Sequence, residues 1–352
     1  MSKNIIIGDK EIGKGCRPFT VAEAGINHNG DLDKAFKMIE VAKESGVDAI
    51  KFQTFKAEEF VTNINQTYTY LSQGMEVTES MLEMFKRYEF SRDQWYKIKK
   101  KCDEVGITFL STPQNKSDLD LLDEIGISAI KVGSDDFNNT PLLKNYIKTN
   151  LPLILSIGMA DLLEVYQTLE SIGALKGYPI ILLVCTSQYP TLEKDTNLKR
   201  ISKLMEEFPG IPIGFSDHTQ GAIAASVAVG LGACFFEKHF TLDNSLPGPD
   251  HWFSENPKTL LAWNQSIQIS YEMLGNESIR PTLKEEEMRR IARRYIVAIK
   301  DIEKGEGFTE ENIGLKRTGE EGLNPYEFET IIGKIATTNI EKGSMLKKGD
   351  FE

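Results

Sequence analysis

Two short stretches carry the residue types of a catalytic metal centre. Ile213-Gly214-Phe215-Ser216-Asp217-His218-Thr219 and Phe236-Glu237-Lys238-His239-Phe240 are each apolar runs that end in ionisable side chains. The segment between them, 220–233, is rich in Ala and Gly and reads as a helix, so the set is strand, helix, strand. Residues two apart on a strand share a face, which puts Ser216 with His218 and Glu237 with His239. Adjacent strands lie about 4.8 Å apart, so the two imidazoles are within reach of one divalent ion. Two His ligands with the remaining positions open suit a Lewis acid. Either histidine alone reads better as a structural residue than as a ligand. Two at matched strand ends, each with an acidic neighbour, favour the metal. Asp217 either orients His218 as an outer carboxylate or caps a helix starting near Thr219.

Other apolar runs end in a complementary set. Lys51, Lys131 and Arg317 are cations; Thr112, Ser134, Ser187 and Ser216 are hydroxyls; Glu23, Asp136, Glu237 and Asp250 are carboxylates. Lysines and hydroxyl donors at one site suit a small ligand bearing phosphate and carboxylate groups. With a Lewis acid nearby, the chemistry expected is condensation of a phosphorylated carboxylate with a carbonyl compound. A lysine Schiff base at Lys51 or Lys131, as in a barrel aldolase, is the competing reading. A sugar- or ice-binding module on a catalytically dead barrel is a further one. No P-loop is present, and no glycine pattern follows a strand in the dinucleotide-binding manner.

The elements that must position these residues alternate in type. Residues 4–18 suggest a hairpin turning at Gly8-Asp9. Strands are expected at 19–24, 47–52, 107–110, 129–132, 153–156, 180–184, within 213–219 up to His218, and at 236–240. Helices are expected at 31–45, 91–104, 116–125, 141–148, 162–172, 197–208, 220–233 and 256–273. Residues 55–90 interrupt the rhythm as a polar, aromatic insertion over the strand ends. Eight strands with polar C-terminal ends predict a (β/α)8 TIM barrel over 1–284; an open doubly wound sheet is the alternative. Residues 285–293 read as a charged helix or linker, and 294–352 as a second, small domain of short strands and turns. A domain of about 60 residues is marginal alone, so docking on something larger is expected.

The chain has 352 residues, 40% of them hydrophobic, and a net charge of −11, which argues against nucleic acid or an anionic membrane as partner. Four dispersed cysteines form no CxxC pair, so a reducing cytoplasm without disulfides is expected. The N-terminus lacks the apolar core of a signal peptide, and no run has transmembrane length.

Taken together, these motifs resemble the sialic acid (N-acetylneuraminate) synthase family, which includes legionaminic and pseudaminic acid synthases. The matching pieces are Glu23-Ala24-Gly25-Ile26-Asn27-His28-Asn29-Gly30, Lys51-Phe52-Gln53-Thr54, Ser111-Thr112-Pro113, Lys131-Val132-Gly133-Ser134 and Cys185-Thr186 with Tyr189-Pro190. Ser216-Asp217-His218-Thr219, Glu237-Lys238-His239-Phe240-Thr241-Leu242-Asp243 and Gly248-Pro249-Asp250-His251 complete the series in the family's order. Residues 294–352 resemble its C-terminal antifreeze-like (SAF) domain.

The resemblance implies metal-dependent condensation of phosphoenolpyruvate with an N-acetylmannosamine-type sugar, with C–O cleavage and release of phosphate. It implies Mn2+ or Mg2+ held by His218 and His239. Phosphoenolpyruvate is then held by Lys51, Thr112, Lys131, Ser134, Ser187 and Ser216, with Gln53 among the binding residues. Tyr189, Asp250 and Glu237 face the sugar or a metal-bound water, and either Glu23 or Asp136 carries the proton. A domain-swapped homodimer lending Arg317 to the partner's barrel is also implied. His28 is expected to be structural or part of the loop anchored by Glu23, and His251 to shape the sugar pocket.

Departures from the family pattern are Asp135-Asp136 for its usual Gly-Glu, Ser187 for Asn, Gln114 for Phe, and Arg317-Thr318-Gly319 for Arg-Pro-Gly. The bulky run Asp250-His251-Trp252-Phe253-Ser254 points to a 2,4-diacetamido-2,4,6-trideoxyhexose as the alternative sugar.

Overall fold

The computed structural model describes residues 4–63 and 65–352. Contacts divide the chain into two compact units, one running to Gly275 and the other from Asn276 to Glu352. In the first unit, β1 (Ile5–Ile7) and β2 (Lys10–Ile12) form the expected antiparallel hairpin. The strands β3 (Phe19–Gly25) and β4 (Ala49–Thr54) come next, then the inserted pair β5 (Thr67–Ser72) and β6 (Met75–Ser80). They are followed by β7 (Thr108–Pro113), β8 (Ile130–Val132), β9 (Leu153–Ser156), β10 (Ile180–Val184), β11 (Ile213–Asp217) and β12 (Phe235–His239). Leaving out β5 and β6, the eight strands from β3 to β12 close into a parallel barrel, with β12 paired to β3. That closure excludes the open doubly wound sheet.

Strand parity sorts the side chains into layers. Inward residues Phe19, Val21, Ala49, Leu110, Ile154, Leu183 and Phe235 form one apolar cluster, joined by Ile5, Ile7 and Ile12 of the hairpin. Outward residues such as Ile50, Val132, Leu182, Phe215 and Phe236 pack into the larger cluster under the helices. The inward positions of the next layer are polar. Glu23, Lys51, Thr112, Lys131, Ser156, Ser216 and Glu237 are all buried there. A parallel barrel with a filled lower core thus presents its chemistry at the C-terminal ends of the strands.

Local signals set the helices. Ser91 and Gln94 form a capping box before Arg92–Val105, which ends at Gly106 in the left-handed conformation (φ +72°). Asn256 caps Pro257–Leu274 in the same reciprocal way. Two expected helices differ. The one expected over 197–208 spans Lys199–Glu207, and Asn197, whose φ is +49°, separates it from a short helix Glu193–Thr196 not expected from the sequence. The one expected over 220–233 spans only Ile223–Gly230, with Ala222 at its cap. Asp217 therefore caps no helix. Its carboxylate accepts from Thr219 N and Oγ1 (2.9 and 2.7 Å) and closes a turn instead.

The insertion is structured. Helices Ala57–Phe60 and Met81–Tyr88 flank the β5-β6 hairpin, and Met84, Tyr88 and Tyr70 pack on Ile26 and Phe55. The hairpin is tied to the loop after β12: Gln73 Nε2 donates to Ser245 O (2.8 Å) and Gly248 N to Ser72 Oγ (3.1 Å).

In the second unit, residues read as charged helix or linker form the helix Leu283–Ala292, whose capping box is Thr282 with Glu285. Strands β13 (Arg294–Ala298) and β14 (Ile313–Arg317) pair antiparallel. The other short strands expected there reduce to isolated bridges such as Ile302↔Ile340 and Ala336↔Phe351. Ile296, Phe308, Ile313 and Leu346 belong to this unit's own core. Among the described residues no helix is long and apolar enough to cross a membrane, and all four cysteines are free.

Candidate active site

The barrel mouth encloses a cavity of about 590 Å3. Two lysines and two glutamates face one another at its floor. Lys51 Nζ lies 2.7 Å from Glu23 Oε2 and 3.5 Å from Glu237 Oε2, and Lys131 Nζ lies 3.7 Å from Glu237 Oε1. Pairing puts Glu23 opposite Lys51 across β3-β4, where a register shift before Gly25 bends the strand end. Gly25 (φ +51°) stands so close to the cluster that a Cβ there would be 3.3 Å from Glu23 Oε1. Both Oε2 atoms lack a directional hydrogen bond despite these ion pairs, so each carboxylate keeps acceptor capacity for a ligand.

Hydroxyls and amides surround the cluster. Ser216 Oγ is 3.1 Å from Glu237 Oε1, Lys131 Nζ donates to Ser156 Oγ (2.8 Å), and Gln53 Nε2 donates to Glu23 Oε1 (3.2 Å). Lys51 Nζ is 3.4 Å from Thr112 Oγ1. On the neighbouring wall, Gly158 N donates to Ser134 Oγ (3.0 Å), which lies 3.2 Å from Cys185 Sγ.

Burial and pairing divide the titration of these groups. Burial raises the Glu23 carboxyl above its ordinary value, with Lys51 pulling it down and Glu237 pushing it up. Burial also acts to raise Glu237, but Lys131 and Lys51 outweigh it and hold it at about 2. Lys51 is raised because its two glutamates overcome the cost of burial, whereas burial lowers Lys131. Glu237 is thus the fixed anion of the site, whereas burial favours the neutral form of Glu23.

His218 and His239 come together with ring centroids 5.6 Å apart. Burial, first among the causes, lowers His218 to about 4 and His239 well below its ordinary value, so both are neutral imidazoles. His218 Nδ1 lies 2.8 Å from Thr186 O and donates to it, which leaves the Nε2 lone pair exposed to Ser216 Oγ at 3.2 Å. Ser216 has one proton and Glu237 competes for it. His239 Nδ1 is buried with no hydrogen-bond partner. Two neutral imidazoles with uncommitted lone pairs, beside an ionised carboxylate, fit a divalent cation. Among the described residues no group of three or more His, Cys, Asp or Glu side chains is placed to hold a metal ion, so the protein offers two imidazoles at most. A two-His site with open positions matches a catalytic ion better than a structural one.

Tyr189 packs on both imidazoles, at 4.2 Å from His218 and 5.5 Å from His239, and Phe253 packs on Tyr189 and His239 at 5.3 Å each. Beyond them a second cavity of about 410 Å3 shares Gln53, Tyr68, Ser187, Tyr189 and His239 with the first. Its remaining wall includes Tyr70, Leu71, Trp252, Phe253 and Asp250, and among the described residues contains no lysine or arginine. Burial, and then the charge of Glu23, lifts the Asp250 carboxyl to about 7.

The predicted residues mostly converge. Glu23, Lys51, Gln53, Thr112, Lys131 and Ser134 line the main cavity, as do Ser187, Tyr189, Ser216, His218, Glu237 and His239. Asp250 lines the adjoining one. Asp136 does not join them. It accepts from Asn139 Nδ2 (2.8 Å) beside the following helix, and its neighbour Asp135 lines the cavity instead. Arg317 lies exposed at the end of β14 in the second unit. His251 lines neither of these two cavities; it is buried and pinned between Thr241 Oγ1 (2.6 Å) and Asn29 Oδ1 (3.1 Å). His28 is structural, stacked on Phe90 at 4.2 Å and accepting from Gly30 N. Ser156 and Tyr68, which the sequence did not single out, also line the main cavity, as does Gln114, noted above only as a departure from the family pattern. Ser156 was detectable by parity, being two residues after the inward Ile154. Tyr68 belongs to the insertion, where barrel periodicity gives no guidance.

The family model described as the NeuB family matches residues 38–279, and that of the SAF domain matches residues 293–352. The chain is 38% identical to an N,N'-diacetyllegionaminic acid synthase of Legionella pneumophila over 98% of both chains. It is 37% identical to the Campylobacter jejuni protein of the same name, over 93% of this chain and 98% of that one. Among solved structures, the N-acetylneuraminic acid synthetase of Leptospira borgpetersenii superposes with a TM-score of 0.73 at 34% identity, covering 82% of this chain and 95% of that chain.

Proposed function

The chain belongs to the NeuB family, and from that premise we propose that it condenses phosphoenolpyruvate with 2,4-diacetamido-2,4,6-trideoxymannose to give a legionaminic-type nonulosonic acid and phosphate. The carrying observation is one cavity in which Lys51 and Lys131 sit over Glu23 and Glu237 beneath two neutral imidazoles. Lysines and hydroxyls there suit the phosphate and carboxylate of phosphoenolpyruvate. Lys51, Thr112, Lys131, Ser134, Ser156, Ser187 and Ser216 are the assigned donors.

Charge balance supports the divalent ion and a further cation. Two lysines and the fixed anion Glu237 sum to at most one positive charge, whereas phosphoenolpyruvate brings about three negative charges. His218 and His239 are assigned to hold Mn2+ or Mg2+, which when bound supplies Lewis-acid activation of the sugar aldehyde. The exposed Arg317, lent by a second subunit of a domain-swapped homodimer, is the proposed additional cation.

In the proposed reaction, C3 of phosphoenolpyruvate bonds to C1 of the open-chain sugar. Glu23, whose carboxyl burial raises above its ordinary value, is the assigned donor of the proton that turns the aldehyde oxygen into a hydroxyl. Positive charge at C2 is opposed by the fixed anion Glu237. Water adds at C2 and returns a proton to Glu23, and the tetrahedral centre collapses with loss of phosphate from C2. Tyr189 and Phe253 shield this volume from bulk water.

The adjoining cavity supports the choice of sugar. Its aromatic wall and lack of any lysine or arginine suit an uncharged, deoxygenated distal end and offer nothing to a sugar phosphate. The two legionaminic acid synthases described above support the same choice. A Schiff-base reaction is disfavoured because Lys51 is ion-paired and raised, and Lys131 is committed to Val132 O (3.0 Å) and Ser156 Oγ.

The test is phosphate release with Mn2+ and three sugars: the diacetamido-trideoxy sugar, N-acetylmannosamine and its 6-phosphate. The expected order of kcat/KM follows that sequence, with product masses read alongside. Highest activity on the phosphate ester would reject the proposed sugar, and release with none would reject the reaction.

A further inference from the structure

Asp217 and Lys238 alternate with the inward-facing His218 and His239 and so project from the outer side of the barrel. No step above uses them. Lys238 is 2% exposed, yet its ammonium is fully engaged. It donates to Asp217 Oδ2 (2.9 Å), Thr219 O (2.6 Å) and Gly221 O (2.9 Å), and pairs with Glu255 Oε1 at 3.4 Å. Trp263 Nε1 donates to Asp217 Oδ2 (3.1 Å). Glu255 in turn accepts from Gly221 N (3.1 Å), and its own N–H donates to His239 O (2.8 Å).

The consequence is asymmetric. Strand pairing between β11 and β12 ends at Asp217↔Lys238. His218 lies one residue past the ladder, with its backbone flanked on both sides by groups tied to the Lys238 ammonium. His239 is fixed from the opposite direction, through its carbonyl and Glu255. One ammonium therefore joins the two segments that carry the imidazoles. The cluster holds two carboxylates and one ammonium, so it also places one net negative charge behind the histidines.

We propose that Lys238, with Asp217 and Glu255, is a positioning cluster that sets the spacing of the His218 and His239 imidazoles for a divalent cation. The proposal rests on the reading that these histidines hold the metal. A salt bridge serving stability alone is replaceable by apolar residues without functional loss, whereas outer groups that orient metal ligands cost about 10- to 100-fold in affinity when removed.

The test measures Mn2+ affinity from the paramagnetic resonance of free Mn2+, and phosphoenolpyruvate affinity by calorimetry without metal. The proteins are the full-length wild type, His218→Ala, Lys238→Met and the milder Glu255→Gln. The wild type is expected to bind one Mn2+ per chain and His218→Ala to lose it. Lys238→Met should weaken Mn2+ about 10- to 100-fold and Glu255→Gln about 3- to 10-fold. Phosphoenolpyruvate affinity should stay within about twofold, because Lys51 and Lys131 stand on other strands. Should Lys238→Met not fold, Glu255→Gln decides alone. Folded Glu255→Gln with wild-type Mn2+ affinity overturns the proposal, as does equal loss of affinity for both ligands. Mn2+ binding that survives His218→Ala overturns the metal reading itself, and the proposal with it.

Discussion

Replacing Gly158 by alanine probes the polar wall of the cavity with one methyl group. A Cβ at 158 would meet Ser187 Oγ, lie 2.6 Å from Ser134 Oγ and lie 2.9 Å from Cys185 Sγ. Van der Waals separation needs about 3.5 Å, so these side chains must retreat by roughly 0.5–1 Å. The Gly158 N–H bond to Ser134 Oγ, 3.0 Å long, would be strained at the same time. Displacing one hydroxyl donor from a charged ligand forfeits about 1.5–3 kcal/mol. The expected effect on G158A is a KM for phosphoenolpyruvate raised about 10- to 100-fold. Overpacking should cost about 1–3 kcal/mol of stability, so the protein should remain folded at 25 °C. Steady-state phosphate release at varied phosphoenolpyruvate, with a thermal melt in parallel, measures both. Folded G158A with an unchanged KM would refute the assignment of this wall to phosphoenolpyruvate.

Other perturbations separate the roles of the charged groups. Glu23→Gln should lower kcat about 100-fold or more, while Asp136→Ala should leave kcat within about threefold, since only Glu23 faces the cavity; equal losses would contradict the assignment. Lys51→Met strands Glu23 and Glu237 together and should cost about 3–5 kcal/mol in denaturant unfolding, and an unchanged midpoint would contradict the buried pairing. EDTA should abolish phosphate release while calorimetric binding of phosphoenolpyruvate persists; full activity without metal would reject the metal. Stability should fall in acid. Burial, first among the causes in each case, lowers His28 to about 3, His218 and His251 to about 4, and His239 well below its ordinary value. The unfolded chain therefore takes up protons that the fold refuses, so the stability present above about pH 6.5 is lost as pH falls through that value toward 4. Asp250, raised to about 7, Asp118, raised to about 6, and Glu23 and Asp136, also raised, act with the opposite sign and offset part of this loss. The metal-free protein should melt lower at pH 5 than at pH 7.5, and a higher melting point at pH 5 would contradict this.

The barrel was legible because two periodicities agreed. Strand parity alone separates inward Ser216, His218, Glu237 and His239 from outward Asp217 and Lys238, and the structure keeps that division. Legibility failed where backbone conformation, not side-chain pattern, decides orientation. Asp135 and Asp136 are chemically alike and adjacent, and only the turn after β8 determines that Asp135 meets the cavity. Asp217 looked like a helix cap because Ser, Asp and Thr cluster before an apolar run, but the turn at Gly221 delays the helix to Ile223. His251 sits in a motif beside Asp250, and its turn into the interior depends on Thr241 and Asn29, the latter 222 residues away. Tyr68 reaches the site from an insertion whose position over the mouth is set by contacts to the 245–248 loop.

The most direct measurement of the central claim uses phosphoenolpyruvate labelled with 18O at the C–O–P bridge, incubated with the diacetamido-trideoxy sugar and Mn2+. Condensation with attack of water at C2 breaks the C–O bond, so the released phosphate should carry the label and the nonulosonic acid should not. Unlabelled phosphate, with 18O retained on the organic product, would mean that the P–O bond breaks and would contradict the chemistry assigned to Glu23, Glu237 and the paired lysines.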